Sequence, residues 1–177
     1  MRLDTPVESE RLLLRTLTPR DSEGSYLSWF QNPDTLRFLE ARFDTHTQES
    51  IVDYITSTNN DPAELLLGIF LNESDEHIGN IKLLNINFNY QRADIGLIIG
   101  EKSQRGKGFA TEAIKTIVSY AGNVLGLHRA VAGCHANNPG SYNAFIKADF
   151  EEEGRLRHHD RIDDEWVDVF ILGRLLS

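Results

Sequence analysis

The stretch Arg105-Gly106-Lys107-Gly108-Phe109-Ala110 joins a segment typical of a buried β-strand to a segment typical of a long helix. Residues 93–99 are almost entirely apolar and β-prone, as expected of a strand in the centre of a sheet. Apolar residues then recur at positions 110, 113, 114, 117, 118, 121, 124 and 125. Because this spacing of three and four residues forms one face of a helix, the stretch predicts a strand–loop–helix unit.

The loop of this unit has the properties of an anion site. A helix N-terminus offers unpaired backbone N–H groups and the positive end of the helix dipole. Gly106 and Gly108 allow phosphate oxygens to approach the backbone, and Arg105 and Lys107 add positive charge. We interpret the loop as a site for a phosphate-bearing cofactor, although a glycine-bearing turn that binds nothing is the alternative for the loop taken alone.

The spacing of the loop narrows the choice of cofactor. It lacks the Gly-x-x-x-x-Gly-Lys-Ser/Thr of a P-loop and the Gly-x-Gly-x-x-Gly of a dinucleotide fold. It fits Arg/Gln-x-x-Gly-x-Gly/Ala, with Arg105, Gly108 and Ala110 at the fixed positions. This pattern resembles the acetyl-CoA pyrophosphate loop of the GNAT acetyltransferases.

Two further segments carry the same resemblance. Asn138-Pro139-Gly140-Ser141, a short helix, Lys147-Ala148-Asp149-Phe150 and Glu153-Gly154 resemble the C-terminal half of the GNAT pattern, with Asp149 where glycine is usual. The run from Glu8 to Arg15, followed by Asp21, Trp29 and Asn32-Pro33, resembles the opening of the ribosomal-protein N-terminal acetyltransferase branch (RimJ/RimL-like). The chain is therefore identified as a member of the GNAT family across nearly its whole length.

The resemblance implies a single GNAT domain over residues 1–177, of the α/β (α+β) class, with a seven-stranded mixed sheet flanked by about four helices. It implies that the strands at 92–99 and 128–136 splay apart and receive the pantetheine of acetyl-CoA, the cosubstrate, along the first strand. The cofactor-binding residues implied are Ile98, Arg105, Gly106, Lys107, Gly108, Phe109, Ala110, Thr111 and Asn138.

Fewer residues are candidates for the acetyl-transfer chemistry itself. By its match to the family serine, Ser141 is the candidate for protonating the departing thiolate, and its alternative role is a helix cap. Tyr142 could serve instead, or simply pack. Asp94 is a candidate general base, against the alternative of a solvated carboxylate. His135 is a second candidate, although a lone strand histidine is more often structural, and alternation places Cys134 on the opposite face.

The acceptor class follows from the cost of making an amine neutral. Deprotonation at pH 7 costs about 4–5 kcal/mol for a lysine-type amine and about 1 kcal/mol for an α-amine. This favours direct transfer to a peptide N-terminus, an amino sugar or another small primary amine. Two alternatives stay open here: a non-catalytic acyl-CoA-binding sensor or partner module, and a nucleotide-binding regulatory domain.

Bulk properties restrict the partners. A net charge of −9 over 177 residues argues against general nucleic-acid binding. No apolar run is long enough to cross a membrane, one cysteine suits a reducing cytoplasm, and no metal motif is recognised. A homodimer is compatible with the sequence.

The predicted order is β-α-α-β-β-β-α-β-α-β-β, with a first strand at 11–18, a helix over 19–30, and a helix capped by Thr45 and Gln48.

Overall fold

A computed structural model describes residues 1–176. The strands are β1 (Val7–Glu8), β2 (Leu12–Thr16), β3 (Leu65–Leu71), β4 (His77–Asn87), β5 (Arg92–Ile99), β6 (Arg129–His135), β7 (Glu151–Ile162) and β8 (Glu165–Leu175). The α-helices are α1 (Ser25–Phe30), α2 (Pro33–Leu36), α3 (Gln48–Asn60), α4 (Phe109–Asn123) and α5 (Pro139–Ile146). Short 3₁₀ turns occupy Pro19–Ser22, Glu40–Phe43 and Lys102–Gln104.

All eight strands form one mixed sheet in the order β1-β2-β3-β4-β5-β6-β8-β7. Neighbouring strands are antiparallel except β5 and β6, which run parallel. The parallel pair needs a crossover connection, and α4 supplies it. The predicted α/β class and mixed sheet are confirmed.

The sheet separates two hydrophobic clusters, as alternation along β3 makes clear. Leu65, Leu67 and Ile69 pack in the larger cluster with α4 and α5. Leu66 and Phe70 pack in the smaller cluster with α1 and α3. Successive side chains of a strand point to opposite faces. The continuous apolar run of β3 is therefore explained by burial on both sides.

The number of elements differs from the prediction. The described residues form eight strands rather than seven, and five α-helices rather than about four. The additional strand β1 has two residues and exists because Val7 and Glu8 pair with Leu14 and Leu13 of β2. A two-residue segment has no periodicity, so no sequence pattern could indicate it.

Two helix boundaries were also wrong. The predicted helix over 19–30 is divided by Gly24, whose φ of 88° is incompatible with a continuing helix. The predicted caps Thr45 and Gln48 are replaced by Thr47 and Ser50, which exchange side-chain and backbone hydrogen bonds at the start of α3.

The predicted splay of the parallel pair is confirmed. Pairing between β5 and β6 covers three positions and ends at Asp94 and Val131. The strands nevertheless run on to Ile99 and His135, so a gap opens towards their carboxyl ends. On its other side β5 stays paired with β4 along this length, with Gly79 opposite Ile99.

Gly79 allows β4 to lie this close to β5, because a Cβ at residue 79 would overlap the carbonyl oxygen of Ile98. We expect Gly79→Ala to lower the free energy of unfolding by about 3 kcal/mol, the upper range for overpacking. Gly154→Ala is the control, because a Cβ there meets no atom within 4 Å. Urea denaturation of both variants tests this, and equal stability of the two would contradict the assigned close approach.

Candidate active site

The gap between β5 and β6 forms a cleft of about 550 Å³. The loop before α4 lies at one end, α5 forms one wall, and residues of the 33–43 segment lie at the rim. The cleft contains most of the residues singled out from the sequence, namely Ile98, Arg105, Gly106, Gly108, Phe109, Ala110, Thr111, Asn138 and Ser141. Residues from β5, from the loop and first turn of α4, and from the start of α5 thus meet in one cavity.

The loop backbone requires glycine at two positions. Gly106 has φ 76° and Gly108 has φ 86°, both in the left-handed region. Gly108 is the N-cap of α4 and provides no side chain to satisfy the first N–H groups of the helix. The first N–H groups of α4 therefore have no side-chain cap, and such groups are the kind of donor that binds an anion.

The two basic side chains of the loop have partners within the protein. The Arg105 Nε donates to the Ile99 carbonyl oxygen at 2.8 Å. Its Nη2 donates to the Gly100 carbonyl oxygen at 3.2 Å and to Thr35 Oγ1 at 3.1 Å. Lys107 Nζ donates to Gln104 Oε1 at 2.9 Å. Arg105 therefore braces the loop against the end of β5, in addition to contributing positive charge.

An ion pair that the sequence analysis missed holds the loop from the other side. Arg11 donates to the Lys107 carbonyl oxygen at 3.1 Å, and its guanidinium lies 4.5 Å from the centre of the Phe109 ring. Glu112, in the first turn of α4, accepts hydrogen bonds from Ser9 Oγ, the Arg11 backbone N–H and Arg11 Nε at 2.7–2.8 Å. The partners are about a hundred positions apart in the chain, so no local pattern could have indicated the pair.

Burial alone would raise the pKa of Glu112, but the hydrogen bonds from Arg11 and Ser9 outweigh it and lower the pKa. The carboxylate is therefore ionised at neutral pH. A negative charge in the first turn also complements the helix dipole of α4.

Asn138 and Ser141 divide the roles at the start of α5. Asn138 is the N-cap, and its Oδ1 accepts the Ser141 backbone N–H at 3.2 Å. The Ser141 hydroxyl is therefore not needed as a cap, and its residue lines the cleft. Burial raises the pKa of the Cys134 thiol, against a smaller opposing effect of the neighbouring Ser141 hydroxyl. The thiol is thus kept neutral beside Ser141.

Tyr142 and Asp94 lie elsewhere, since the cleft walls formed by residues 1–176 include neither. The Tyr142 hydroxyl donates to Glu152 Oε2 at 3.1 Å, and this bond raises the pKa of the phenol. Its ring packs on Phe170, with centroids 5.1 Å apart. Asp94 Oδ2 accepts from Asn85 Nδ2 at 2.7 Å. Both side chains therefore have structural partners outside the cleft.

A second groove continues from the cleft along α4. It has a volume of about 750 Å³ and shares Gly108, Thr111 and Lys147 with the cleft. Its charged wall residues are of both signs, namely Arg11, Lys115 and Lys147 with Glu8, Glu10 and Glu112. The two cavities together provide a continuous path from the side of α4, past the helix N-terminus, to Ser141.

The 33–43 segment approaches the β7–β8 hairpin across the rim of the cleft. Arg37 Nε lies 2.6 Å from Asp163 Oδ2, and Arg42 Nη2 donates to the Arg161 carbonyl oxygen at 3.2 Å. Phe38 of this segment lies beside His135 of β6, with ring centroids 5.9 Å apart. The segment thus lies on the face of the sheet opposite α4 and α5 and is attached to the hairpin, which contributes no residue to the described cleft walls.

Two kinds of feature are not found in residues 1–176. No group of three or more histidine, cysteine or acidic side chains is placed to hold a metal ion. No helix in this range has the length and apolar character needed to span a membrane.

Because the folded-state pKa of Glu112 is lowered, its stabilising effect is complete above the ordinary glutamate value of about 4.3 and is lost as the pH falls through the lowered value. We expect Glu112→Gln to reduce the free energy of unfolding by about 1–2 kcal/mol at pH 7, since charge-assisted hydrogen bonds are lost. This difference should disappear in acid.

Chemical denaturation between pH 7 and pH 2.5 measures that difference. Glu10→Gln is the matched control, because it removes the same charge from an exposed residue of the same region. A Glu112→Gln deficit that is the same at both ends of the pH range would contradict the assigned role of the carboxylate.

Comparison with known proteins agrees with this geometry. The family model described as acetyltransferase (GNAT) domain matches residues 11–151. The probable N-acetyltransferase YjcK of Bacillus subtilis (strain 168) is 31% identical over 176 residues, which cover 96% of each chain. The ribosomal-protein-serine acetyltransferase of Escherichia coli (strain K12) is 28% identical over 105 residues, which cover 59% of this chain and 58% of that protein.

Among solved structures, the spermidine N-acetyltransferase from Vibrio cholerae, in complex with CoA and spermine, superimposes with a TM-score of 0.85 at 23% identity. The match covers 96% of this chain and 98% of that one. At this identity it shows that the two proteins share a fold. The family match and the relatives favour a transferase over the two alternatives left open by the sequence. The chain belongs to the GNAT acetyltransferase family and is an acetyl-CoA-dependent acyltransferase.

Proposed function

We propose that this single-domain enzyme transfers the acetyl group of acetyl-CoA directly to a primary amine in a ternary complex within the cleft. The observation that carries the proposal is the gap that opens beyond Asp94 and Val131, with the α4 N-terminus at one end and Ser141 on its wall. The α4 N-terminus and the Ser141 hydroxyl thus lie in one cavity. An extended thioester cofactor would bind there with its pyrophosphate at the helix N-terminus and its thioester near Ser141.

Residues 105–111 would bind the pyrophosphate through the backbone N–H groups of the loop and the first turn of α4. Gly106 and Gly108 supply the left-handed backbone that this arrangement needs. The pantetheine amides would then pair with the edge of β5 that faces the gap, Ile98 included, as an added strand does. Asn138 already caps α5 through its Oδ1, so its amide nitrogen is the group available to the pantetheine.

The groove along α4 would receive the nucleotide end of the cofactor. Arg11, Lys115 and Lys147 line it together with Glu8, Glu10 and Glu112, so the groove has no excess of positive charge. The three cations are the groups that would contact the phosphates, because charges within the Debye length of about 8 Å act most strongly at physiological salt.

Ser141 is our candidate for the proton donor to the thiolate. In the reaction the amine nitrogen attacks the thioester carbonyl carbon, the C–N bond forms and the C–S bond breaks. The Ser141 hydroxyl is free of the capping role, which belongs to Asn138. Tyr142 and Asp94, the other catalytic candidates, have partners outside the cleft, and we assign them no part in this mechanism.

For the acceptor, the cost of deprotonation favours an α-amine or an amino sugar over a lysine-type amine. The E. coli relative named as a ribosomal-protein-serine acetyltransferase supports a peptide N-terminus and the RimJ/RimL-like branch. The structural neighbour named as a spermidine acetyltransferase makes polyamines the competing class. The single cysteine suits the cytoplasm, where such acceptors occur.

The test is acetyl-CoA-dependent thiol release with a panel of amines: peptides with free N-termini, lysine, polyamines, aminoglycosides and nucleotide-linked amino sugars. We expect release that depends on the amine, fastest with an acceptor of low amine pKa. Binding of acetyl-CoA without release for any amine of the panel would contradict the proposal.

Ser141→Ala should lower kcat by about 10²-fold, the smaller end of the range for a lost proton donor, while the Kd for acetyl-CoA stays nearly unchanged. Ser57→Ala is a matched control, since it removes a hydroxyl from an exposed residue of α3 that lines neither the cleft nor the groove. Thiol release and calorimetric titration measure the two quantities. Full activity of Ser141→Ala would show that another group or water protonates the thiolate.

A further inference from the structure

We propose that His135 is the general base that accepts the proton of the acceptor amine, and that Asp160 positions its ring. This inference rests on the proposed function and adds to it the residue that makes the amine neutral. It is based on the contacts that His135 of β6 makes with Asp160 of β7 and with Phe38 of the 33–43 segment.

His135 lies at the end of β6, where the gap is widest, and its side chain is 15% exposed. Cys134 precedes it and points into the cluster beneath α4 and α5, on the side of Ser141. Since successive strand residues face opposite ways, the His135 ring lies on the other side of the sheet. A thioester in the gap would therefore have Ser141 on one side and His135 on the other, which is the side from which an acceptor must enter.

The other ionisable side chains of the cleft are either unable to accept a proton or worse placed to do so than His135. Within residues 1–176 these are Asp34, Arg105, Cys134 and Lys147. Arg105 and Lys147 are cations, and burial raises the pKa of the Cys134 thiol. Asp34 is an exposed residue at the start of α2, on the rim. An unprotonated imidazole nitrogen is the remaining acceptor.

Asp160 fixes which nitrogen of His135 is available. The His135 Nε2 lies 2.9 Å from Asp160 Oδ2. Burial would raise the pKa of Asp160, but the bonds with His135 and His159 lower it, so the carboxylate is ionised and can only accept. The Nε2 of His135 therefore carries a proton, and in the neutral imidazole the lone pair that would accept the amine proton is on Nδ1.

The charges around this pair come from three elements. On β7, His159 Nδ1 lies 2.9 Å from the second oxygen of Asp160. On β8, Asp168 pairs with Arg155 of β7. On the 33–43 segment, Arg37 pairs with Asp163, and Arg42 donates to a backbone carbonyl. Most of the cations near the pair are thus neutralised, and Asp160 faces His135 directly.

The proton balance is complete without a further reactant. An ammonium N–H proton passes to His135 Nδ1, and the lone pair that remains on nitrogen attacks the thioester carbonyl carbon. The C–S bond then breaks, the remaining excess proton on nitrogen reaches the sulfur by way of Ser141, and the imidazolium releases its proton to water. The net products are the amide, the free thiol of coenzyme A and one proton.

The first experiment measures kcat/KM from pH 6 to pH 10 for His135→Gln, with the panel amine that gives the fastest thiol release. We expect a loss of about 10²-fold at pH 7, typical of a missing general base, with the Kd for acetyl-CoA unchanged. The loss should shrink as rising pH deprotonates the amine without help. A loss of the same size at every pH would mean a structural role and would overturn the proposal.

Two variants of neighbouring residues sharpen this test. Asp160→Asn should give a smaller loss, because the amide no longer fixes the protonated nitrogen. His159→Gln is the matched control, because His159 contacts the same carboxylate but is 52% exposed and lies outside the cleft walls of the described chain. Equal losses in His159→Gln and His135→Gln would also overturn the proposal.

A second measurement needs no acceptor and so separates this proposal from the proposed function. The ¹⁵N spectrum of histidine-labelled protein should show neutral His135 with its proton on Nε2, and Asp160→Asn should change that spectrum. A proton on Nδ1 would rule out this base, whatever the amine panel shows.

Discussion

The parallel pairing of β5 and β6 lasts for three residues, and the site depends on its early end. In a continuous sheet the edge of β5 beyond Asp94 would be covered by β6. Here the β6 side is free of a strand partner within residues 1–176, while β4 holds the other side of β5 in register as far as Ile99. A rigid strand therefore presents backbone donors and acceptors to a cavity, which is the geometry that binds an extended ligand as an additional strand.

The remaining parts of the site are arranged around this gap. The loop that follows β5 delivers the N-terminus of α4 to one end, and the Arg11–Glu112 pair and Arg105 hold the loop from two sides. Because Glu112 lies in the first turn of α4, its ion pair also connects the helix N-terminus to the chain before β2. The anion site is thus preorganised by contacts with groups of the protein that lie outside it.

The two faces of the gap differ chemically. On the side of α5, Ser141 and the neutral thiol of Cys134 face a well-packed apolar cluster. On the other side, His135 contacts Asp160 and lies beside Phe38 of the 33–43 segment, which one ion pair and one hydrogen bond attach to the β7–β8 hairpin. This asymmetry suits a reaction in which one partner gives a proton and the other receives it, because the two groups are kept apart by the sheet itself.

Much of the fold could be predicted from the sequence, because it depends on local patterns. The bounds of β5 were predicted correctly from its apolar run, the position of α4 from its periodicity, and the loop between them from its glycines, which have positive φ. These features depend on residues close together in the chain. The division of the 19–30 helix at Gly24 and the cap at Thr47 were missed because several polar and glycine residues there offered competing choices.

Some parts of the candidate site could likewise be predicted from local patterns, and others could not. The sequence by itself determined the family, the glycine loop between β5 and α4, and the short helix that carries Ser141, since each depends on contiguous motifs. Only the tertiary structure decided that Tyr142 and Asp94 have partners outside the cleft, and that Arg11 meets Glu112 and His135 meets Asp160. The physical reason is that the direction of a side chain and the partner it finds depend on the packing of elements that are far apart in the chain.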